Sequence, residues 1–537
     1  MRLFVRVDWA GKCRVRRAEW KYHYNHPPRT DATMNSSTYS TTVLSTASTP
    51  SATSVLPQLH HLFEEHFCAL VQEAVTFCAQ PVNPTTVFDL EHRIAARLRE
   101  LGRETMACIC NGLEGDDPDA LPSHLRFEGD EFRLNKTKTR QHVDTLFGPI
   151  DLWRHLYRPV HRDSAERSIA PLAQALGVVA NATPALAERA GRYLAEAGAT
   201  QQVVQDRLRA GHGVTMGTGR LRTLSAHLSG EMATVRQEFQ VVKLLDLLDR
   251  ANRGSGSRKP VLSVGRDGIT LREYRHRLYE VASCATVAVI DRTGKRLGTV
   301  YLGFVPEHGQ GRMSDQLTAL IEAVLRGWNG PVPRLAYVTD AGDNETGYYQ
   351  RVLRTQKHPR TGEPLEWQRV VDFYHAMERV WTMAGALFGE GTPAARGWAR
   401  RMGGLLKKPN GPFRVLHAAA AMRSGRVLSP AVRKEYDTAY RYIRERTQWM
   451  QYHEYKSRHL PLGSGITEAA CKTIFTQRLK LSGMRWTKVG AQVVLDLRVV
   501  MLSGVWDQAY RQVLTTYQQA ELLTPCTEPE NPKQMAA

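Results

Sequence analysis

Two apolar, β-rich runs, each delivering one aspartate, constrain this chain more than any other feature. Val261-Leu-Ser-Val-Gly-Arg-Asp-Gly-Ile-Thr-Leu271 carries Asp267 directly before Gly268, and Arg334-Leu-Ala-Tyr-Val-Thr-Asp-Ala-Gly342 carries Asp340 at the end of its apolar stretch. A third acid, Glu468, sits in Gly463-Ser-Gly-Ile-Thr-Glu-Ala-Ala-Cys-Lys472, where a helical pattern begins. A strand-borne Asp, a strand-end Asp and a helix-borne Glu are the oxygen ligands that a pair of hard cations needs. Three like charges repel one another without a metal, so a bare acid cluster implies a cation or raised pKa values. Each acid also has a plainer reading. Asp267 before Gly is a turn former, Asp343 rivals Asp340, and Thr467-Glu468 is ordinary helix-start chemistry. The constellation is stronger than its members.

The runs around these acids give an order of elements. After the Asp267 strand come Ala285-Thr-Val-Ala-Val-Ile-Asp-Arg-Thr-Gly294 and Arg296-Leu-Gly-Thr-Val-Tyr-Leu-Gly-Phe-Val305, two strands joined by a tight turn. A helix capped by Ser314, the Asp340 strand, a helix from Glu345 and the strand Arg369-Val-Val-Asp-Phe-Tyr-His375 follow. Three strands, helix, strand, helix, strand is an α/β order in which the first three strands form an antiparallel meander. The interval from Asp340 to Glu468 is too long for that bare core, so a mostly helical insertion must lie between them.

With 537 residues, 42% hydrophobic, the chain is too long for one ordinary domain. A disordered basic and Ser/Thr-rich arm is expected over 1–55, because such composition buries too little apolar surface to offset chain entropy. Met34 is a second candidate start. A helical region with a β-hairpin about Gly148-Pro149 is expected over 56–165, with Trp153, Arg154, His155, Tyr157 and Arg158 as DNA contacts or equally as an exposed strand face. Over 166–250, Thr183-Pro184 starts a helix, Gly211-His-Gly213 breaks the next one, and Thr218 caps a third that carries Arg220 and Arg222. Short helices around a Gly break suit a helix-turn-helix as well as plain helical packing. Arg250-Ala-Asn-Arg-Gly-Ser-Gly-Ser-Arg-Lys259 reads as the clearest linker. The first part of the core then spans 256–375, the helical insertion 376–462, the C-terminal core helices 463–517 and a disordered tail 518–537.

Lys and Arg number 72 against 53 Asp and Glu, a formal net charge of +19. A basic excess speaks about partners, and nucleic acid is the first candidate. Eight cysteines without a paired framework suit a reducing cytosol. No apolar run reaches membrane-spanning length. After Glu468, the basic residues Lys472, Arg478, Lys480 and Arg485 run together with Trp486 and suit a DNA backbone path with a ring for stacking. A solvated helix face is the alternative.

The sequence resembles the DDE transposases of bacterial insertion sequences, specifically the ISKra type, related to the Mutator-like and hAT groups. The matching pieces are Val264-Gly-Arg-Asp-Gly268, Tyr337-Val-Thr-Asp-Ala-Gly342, Asp372-Phe-Tyr-His375, and Gly463 to Lys472 with Leu481-Ser-Gly-Met-Arg-Trp486. They cover roughly residues 255–510. The resemblance implies a ribonuclease H-like catalytic core with a mostly helical insertion, preceded by a mainly helical DNA-binding region. It implies Asp267, Asp340 and Glu468 as a catalytic, metal-binding triad using Mg²⁺, with Mn²⁺ as a substitute. It also matches Asp372 and His375 to an Asp/Cys-x-x-His motif. Residues three apart share one helical face, so this pair can hold DNA, with His375 on a phosphate or flipped base and Asp372 supporting it, or it can be a buried polar pair that pins a strand end to a helix. The expected partners are double-stranded DNA, as mobile-element ends and target, and further copies of the chain on that DNA. The expected location is the bacterial cytoplasm at the nucleoid. A nuclease of the same core that cleaves without joining, and a DNA-binding regulator derived from a transposase, are the rival readings.

Overall fold

The computed structural model describes residues 52–127, 129–161, 168–272, 279–519 and 524–525. The arm expected over 1–55 lies outside the described residues up to Ser51, and most of the expected tail lies outside them too. The chain forms two compact units, one made of residues 1–186, 209–214 and 518–537, the other of 187–208 and 215–517.

The first unit begins with two long helices, α1 (Ala52–Cys78) and α2 (Pro84–Gly112). Asn83 and Thr86 form a reciprocal capping box at the start of α2, with Pro84 in its first turn. An Arg93–Glu73 ion pair and a His66–Glu104 hydrogen bond, both 2.9 Å, join the helices as an antiparallel hairpin. Strands β1 (His124–Phe127), β2 (Asp130–Thr145) and β3 (Gly148–Pro159) pair antiparallel, with a two-residue strand at Thr524–Pro525 beside β1. The hairpin turns at Leu146–Phe147, not at Gly148-Pro149, because Thr145 pairs with Gly148 across the strands. Gly148 opens β3 at φ +121°, a conformation glycine adopts without a steric penalty. β3 changes the face it buries part-way along. Ile150 and Leu152 pack with Val143, Cys110 and Leu172, whereas Tyr157 packs with Phe132, Leu125 and Ile169. His155 and Tyr157 are therefore core residues and not DNA contacts; Trp153 and Arg158 stay exposed. A short helix, α3 (Pro171–Ala175), follows.

Helix α4 (Pro184–Ala195) starts where Thr183-Pro184 placed it, and α5 (Gln201–His212) follows. The next helix departs from expectation. α6 (Thr218–Arg253) is one helix of 36 residues, spanning both the helix expected from Gly219 to about His227 and a further one expected from Glu231 to Arg250. Gly230 sits exposed in its interior without breaking it, since tertiary packing outweighs a propensity cost of about 1 kcal/mol. The Gly/Ser-rich stretch after α6 is no domain boundary either. Leu244, Leu247, Leu248 and Ala251 are buried against the central sheet of the second unit.

That sheet has five strands, β4 (Val261–Arg272), β5 (Tyr279–Ile290), β6 (Arg296–Phe304), β7 (Arg334–Thr339) and β8 (Trp367–Val371), in the order β6-β5-β4-β7-β8. The first three are antiparallel; β4–β7 and β7–β8 are parallel, joined by crossovers through α7 (Gly311–Gly327) and α8 (Asp343–Arg351). The fold class is thus mixed α/β, with the element order read from the sequence. β7 is apolar without alternation because both its faces are covered: Leu335 and Tyr337 face the α6–α7 side, and Ala336 and Val338 face the helices that follow β8. Those helices are α9 (Phe373–Phe388), α10 (Pro393–Leu406), α11 (Gly411–Ser424), α12 (Pro430–Arg446) and α13 (Tyr452–Ser457). α14 (Gly465–Cys471) continues through a π-helical stretch, Lys472–Thr476, into α15 (Gln477–Leu479). α16 (Lys488–Ser503) and α17 (Trp506–Gln519) close the unit. Among the described residues no single helix is long and apolar enough to cross a membrane.

The docking of α6 is directly testable. Leu247 is buried and its methyls lie where a Cβ on Gly298 of β6 would be. Leu247→Ala is expected to cost about 2–5 kcal/mol in chemical denaturation. A cost near zero would mean that α6 is not packed on the sheet in solution.

Candidate functional site

The three acids sit where neighbouring elements of the second unit meet. Asp267 lies on β4 opposite Cys284 of β5, beyond the last β4–β7 pair at Val264 and Tyr337. Its Oδ1 accepts the Gly268 N–H at 2.7 Å, and the Cys471 thiol is a second donor. Burial first, then the charges of Asp340 and Glu468, pushes its pKa above the usual carboxylate range. Glu468 is carried by α14, which lies against β4 and β5 through Thr467. The Thr467 hydroxyl bonds that of Thr286 at 2.8 Å, and a Cβ on Gly265 would sit 2.0 Å from the Thr467 oxygen. Gly265 is what allows the Glu468 helix to approach the Asp267 strand so closely. Beneath this contact the buried thiols of Cys284 and Cys471 meet at 3.2 Å.

Asp340 follows β7 immediately, and its Oδ1 accepts the Gly342 N–H at 3.0 Å. The next residue, Ala341, is buried at φ +61°, a left-handed conformation that a non-glycine residue adopts only where its surroundings enforce it. The enforcing groups come from α12. The Tyr442 hydroxyl donates to the Asp340 carbonyl at 2.5 Å, and Arg446 donates to the Ala341 carbonyl at 3.2 Å. The helical insertion therefore fixes the backbone that presents Asp340.

Asp372 ties these pieces together. It is fully buried at the N-cap of α9, and its Oδ1 accepts the N–H groups of Tyr374 (2.5 Å) and His375 (3.0 Å). Its Oδ2 takes the backbone N–H of Ser464 and lies 2.6 Å from the Ser464 hydroxyl, which in turn lies 2.7 Å from Glu468 Oε1. Its own N–H donates to the carbonyl of Thr339, next to Asp340. His375 faces Glu468, with Nε2 3.5 Å from Glu468 Oε1, and its Nδ1 is 3.1 Å from Glu378. Burial pulls the imidazole pKa down, but the bond to Glu378 and the charges of Glu378, Asp372 and Asp340 outweigh it and leave the pKa raised. His375 is thus placed beside an acid of the site, and Asp372 takes the form of the alternative reading, a buried polar residue that pins a strand end to a helix.

The basic run after Glu468 divides. Lys472, Lys480 and Arg485 are exposed. Arg478 is not a surface residue and cannot follow a DNA backbone: it is fully buried, its Nε donates to the Leu194 carbonyl at 2.8 Å, and it lies under the Trp486 ring. The π-helical stretch between Glu468 and Arg478 shifts the helical phase and turns this arginine inward. Trp486 is half-buried, its Nε1 donating to the Leu479 carbonyl at 3.0 Å. Arg222 is exposed early in α6, its guanidinium 3.3 Å from Gln201, and Arg220 is half-buried in the first turn.

Among the described residues no three His, Cys, Asp or Glu side chains converge closely enough to hold a metal ion. The expected triad shares one electrostatic environment but is not closed as a ligand set, because Glu468 leans on Ser464 and His375. In kind the donors suit a hard divalent cation: they are carboxylate oxygens, and Asp267 is half-buried with few donors for its charge. A fourth carboxylate, Glu345 in the first turn of α8, was not anticipated. It is buried, and burial followed by the Asp340 charge raises its pKa. A Cβ on Gly342 would lie 2.6 Å from Glu345 Oε2 and 3.5 Å from Asp340 Oδ1, so the two acids share the space that this glycine leaves open. Asp343, the nearer acid in sequence, hides this signal. No protein-family model matches the chain, and no curated protein matches it.

A raised pKa at Asp267 means that the fold disfavours its charge. Asp267→Asn keeps an acceptor and removes that charge, so it is expected to raise the Tm of the metal-free protein at neutral pH. The gain should vanish at pH values low enough to protonate the aspartate. A lowered Tm at neutral pH would show that the carboxylate is stabilised by its surroundings.

Proposed function

We propose that this chain is a DNA transposase of the DDE type, built on a ribonuclease H-like core. On this reading it binds the ends of its mobile element and catalyses cleavage and strand transfer. The observation that carries the reading is the arrangement of Asp267 and Asp340 on adjacent, parallel strands, with Glu468 on a helix packed against the first. The sheet order, three antiparallel strands flanked by two parallel ones, supports it, and so does the formal net charge of +19. Asp267, Asp340 and Glu468 would hold Mg²⁺ or Mn²⁺, which when bound supplies activation of the attacking hydroxyl and stabilisation of the leaving oxygen. The chain's own contribution is positional. Asp372, through Ser464, orients Glu468; Tyr442 and Arg446 fix the backbone at Asp340; His375 carries a positive charge beside Glu468 when protonated. Lys472, Lys480 and Arg485 offer exposed cations for DNA phosphates. Residues of α5 and the start of α6 are the proposed readers of end sequence, acting with further copies of the chain at the nucleoid.

The test is joining of a 3′-hydroxyl end, cut from DNA flanking the gene, to a target plasmid in Mg²⁺ or Mn²⁺. Asp267→Asn, Asp340→Asn and Glu468→Gln are each expected to abolish nicking and joining while leaving DNA binding intact. Near-normal cleavage by any one of them removes that residue from the catalytic set. Nicking without joining would favour a nuclease, and neither activity in the wild type would favour a DNA-binding regulator.

End recognition is separable from the chemistry. Arg222→Ala is expected to flatten the preference for end over scrambled duplex roughly tenfold, as one lost bidentate base contact of about 1–3 kcal/mol would. Lys480→Ala should instead weaken binding to every duplex alike and reduce its salt dependence. Unchanged end preference in Arg222→Ala across a salt series moves sequence reading elsewhere in the chain.

A further inference from the structure

Helix α1 carries two apolar seams, and only one is covered. Leu59, Leu62, His66, Ala69 and Glu73 recur at alternating three- and four-residue steps and are buried or half-buried on the α2 side. A second set with the same spacing, Leu56, His60, Phe63, Phe67, Leu70 and Ala74, lies mostly in the open. Leu56 is 60% exposed, and Phe63 and Phe67 are each 47% exposed. On α2, Val87, Ile94 and Leu98 continue an open apolar stripe. A repeat averaging 3.5 residues is the seam of helices that pack side by side in a bundle. A two-helix hairpin needs one such seam per helix. A second belongs to a bundle of more helices than this hairpin holds.

We propose that the open seams of α1 and α2 form a dimer interface, in which the hairpin of a second copy of this chain completes a four-helix bundle. The charge of α1 and the area of the seams select that occupant. α1 carries Glu64, Glu65 and Glu73 and has no Lys or Arg from Ala52 to Cys78, so this face suits neither nucleic acid nor an anionic membrane. α2 carries four arginines (Arg93, Arg97, Arg99, Arg103) and four acids (Asp89, Glu91, Glu100, Glu104), so α1 of one copy against α2 of the other keeps the two acidic helices apart, as a two-fold axis through antiparallel hairpins provides. The six open apolar side chains present on the order of 500 Å² per chain, on aromatic and aliphatic side-chain areas. Pairing two such faces hides on the order of 1,000 Å², the threshold for a specific interface. The inference does not rest on the proposed enzymatic activity.

The experiment is the mass of the full chain by light scattering and sedimentation over a hundredfold range of concentration, without DNA. The wild type is expected at twice the chain mass. Phe63→Glu/Phe67→Glu, which adds acids to an already acidic helix, is expected at the single-chain mass with unchanged circular dichroism. Leu98→Glu is a second, single-site variant should the double one fail to fold, and it is expected to dissociate at least tenfold more readily than the wild type. A wild type that stays monomeric overturns the proposal, whether its open face is taken up by residues 1–51, as dimerisation on their removal would reveal, or by phosphatidylcholine vesicles in co-sedimentation. A dimer that persists in folded Phe63→Glu/Phe67→Glu or Leu98→Glu protein overturns it as well.

Discussion

The site depends on one buried carboxylate. A charge as deeply enclosed as that of Asp372 is tolerated only when hydrogen bonds replace its water. Here two N–H groups at the start of α9 bond one oxygen, and the backbone N–H and hydroxyl of Ser464 approach the other. The positive end of the α9 dipole adds to this. These bonds join the start of α9 with His375 to the start of α14 with Glu468, and the Asp372 backbone N–H ties both to the end of β7 beside Asp340. Loss of the Asp372 charge would leave several donors unsatisfied at once, and the starts of α9 and α14 would lose their common anchor.

Around that anchor the molecule holds acids together against their repulsion. Asp267 and Glu345 both have raised pKa values, burial being the larger cause and neighbouring acids the smaller. Carboxylates gathered in one region repel one another, and burial adds to the cost of their charge. The left-handed Ala341 belongs to the same economy, since its strain is held by Tyr442 and Arg446 of the insertion. The long interval between Asp340 and Glu468 is therefore not spare length. Its helices bury one face of the parallel strands and reach back to set the backbone of the acid that precedes them.

Much of this was legible in the sequence because it is local. Apolar runs with no alternation mark strands covered on both faces, so β4 and β7 and the acids they carry could be read directly. Thr183-Pro184 marked the start of α4 through cap and ring chemistry that needs no tertiary partner. The order of elements from β4 to β8 followed from the same runs. Two seams at 3.5-residue spacing were present in α1 from the outset, although spacing alone does not say which one is covered.

Tertiary structure decided what depends on distant partners. α6 runs unbroken through Gly230 because its leucines pack on the sheet. The Gly/Ser-rich stretch after α6 looked like a boundary for want of a view of that packing. Arg478 looked like one more cation in a basic run until a π-helical stretch turned it beneath Trp486. Ser464 carries no sequence mark of its place, yet its hydroxyl lies between Asp372 and Glu468. Tyr442 and Arg446, about a hundred residues from Asp340, carry no sequence mark of their role. A sequence specifies periodicity, caps and the chemistry that each residue can offer. Which residues meet is settled only when the elements pack, because burial and hydrogen-bond geometry are properties of the assembled chain.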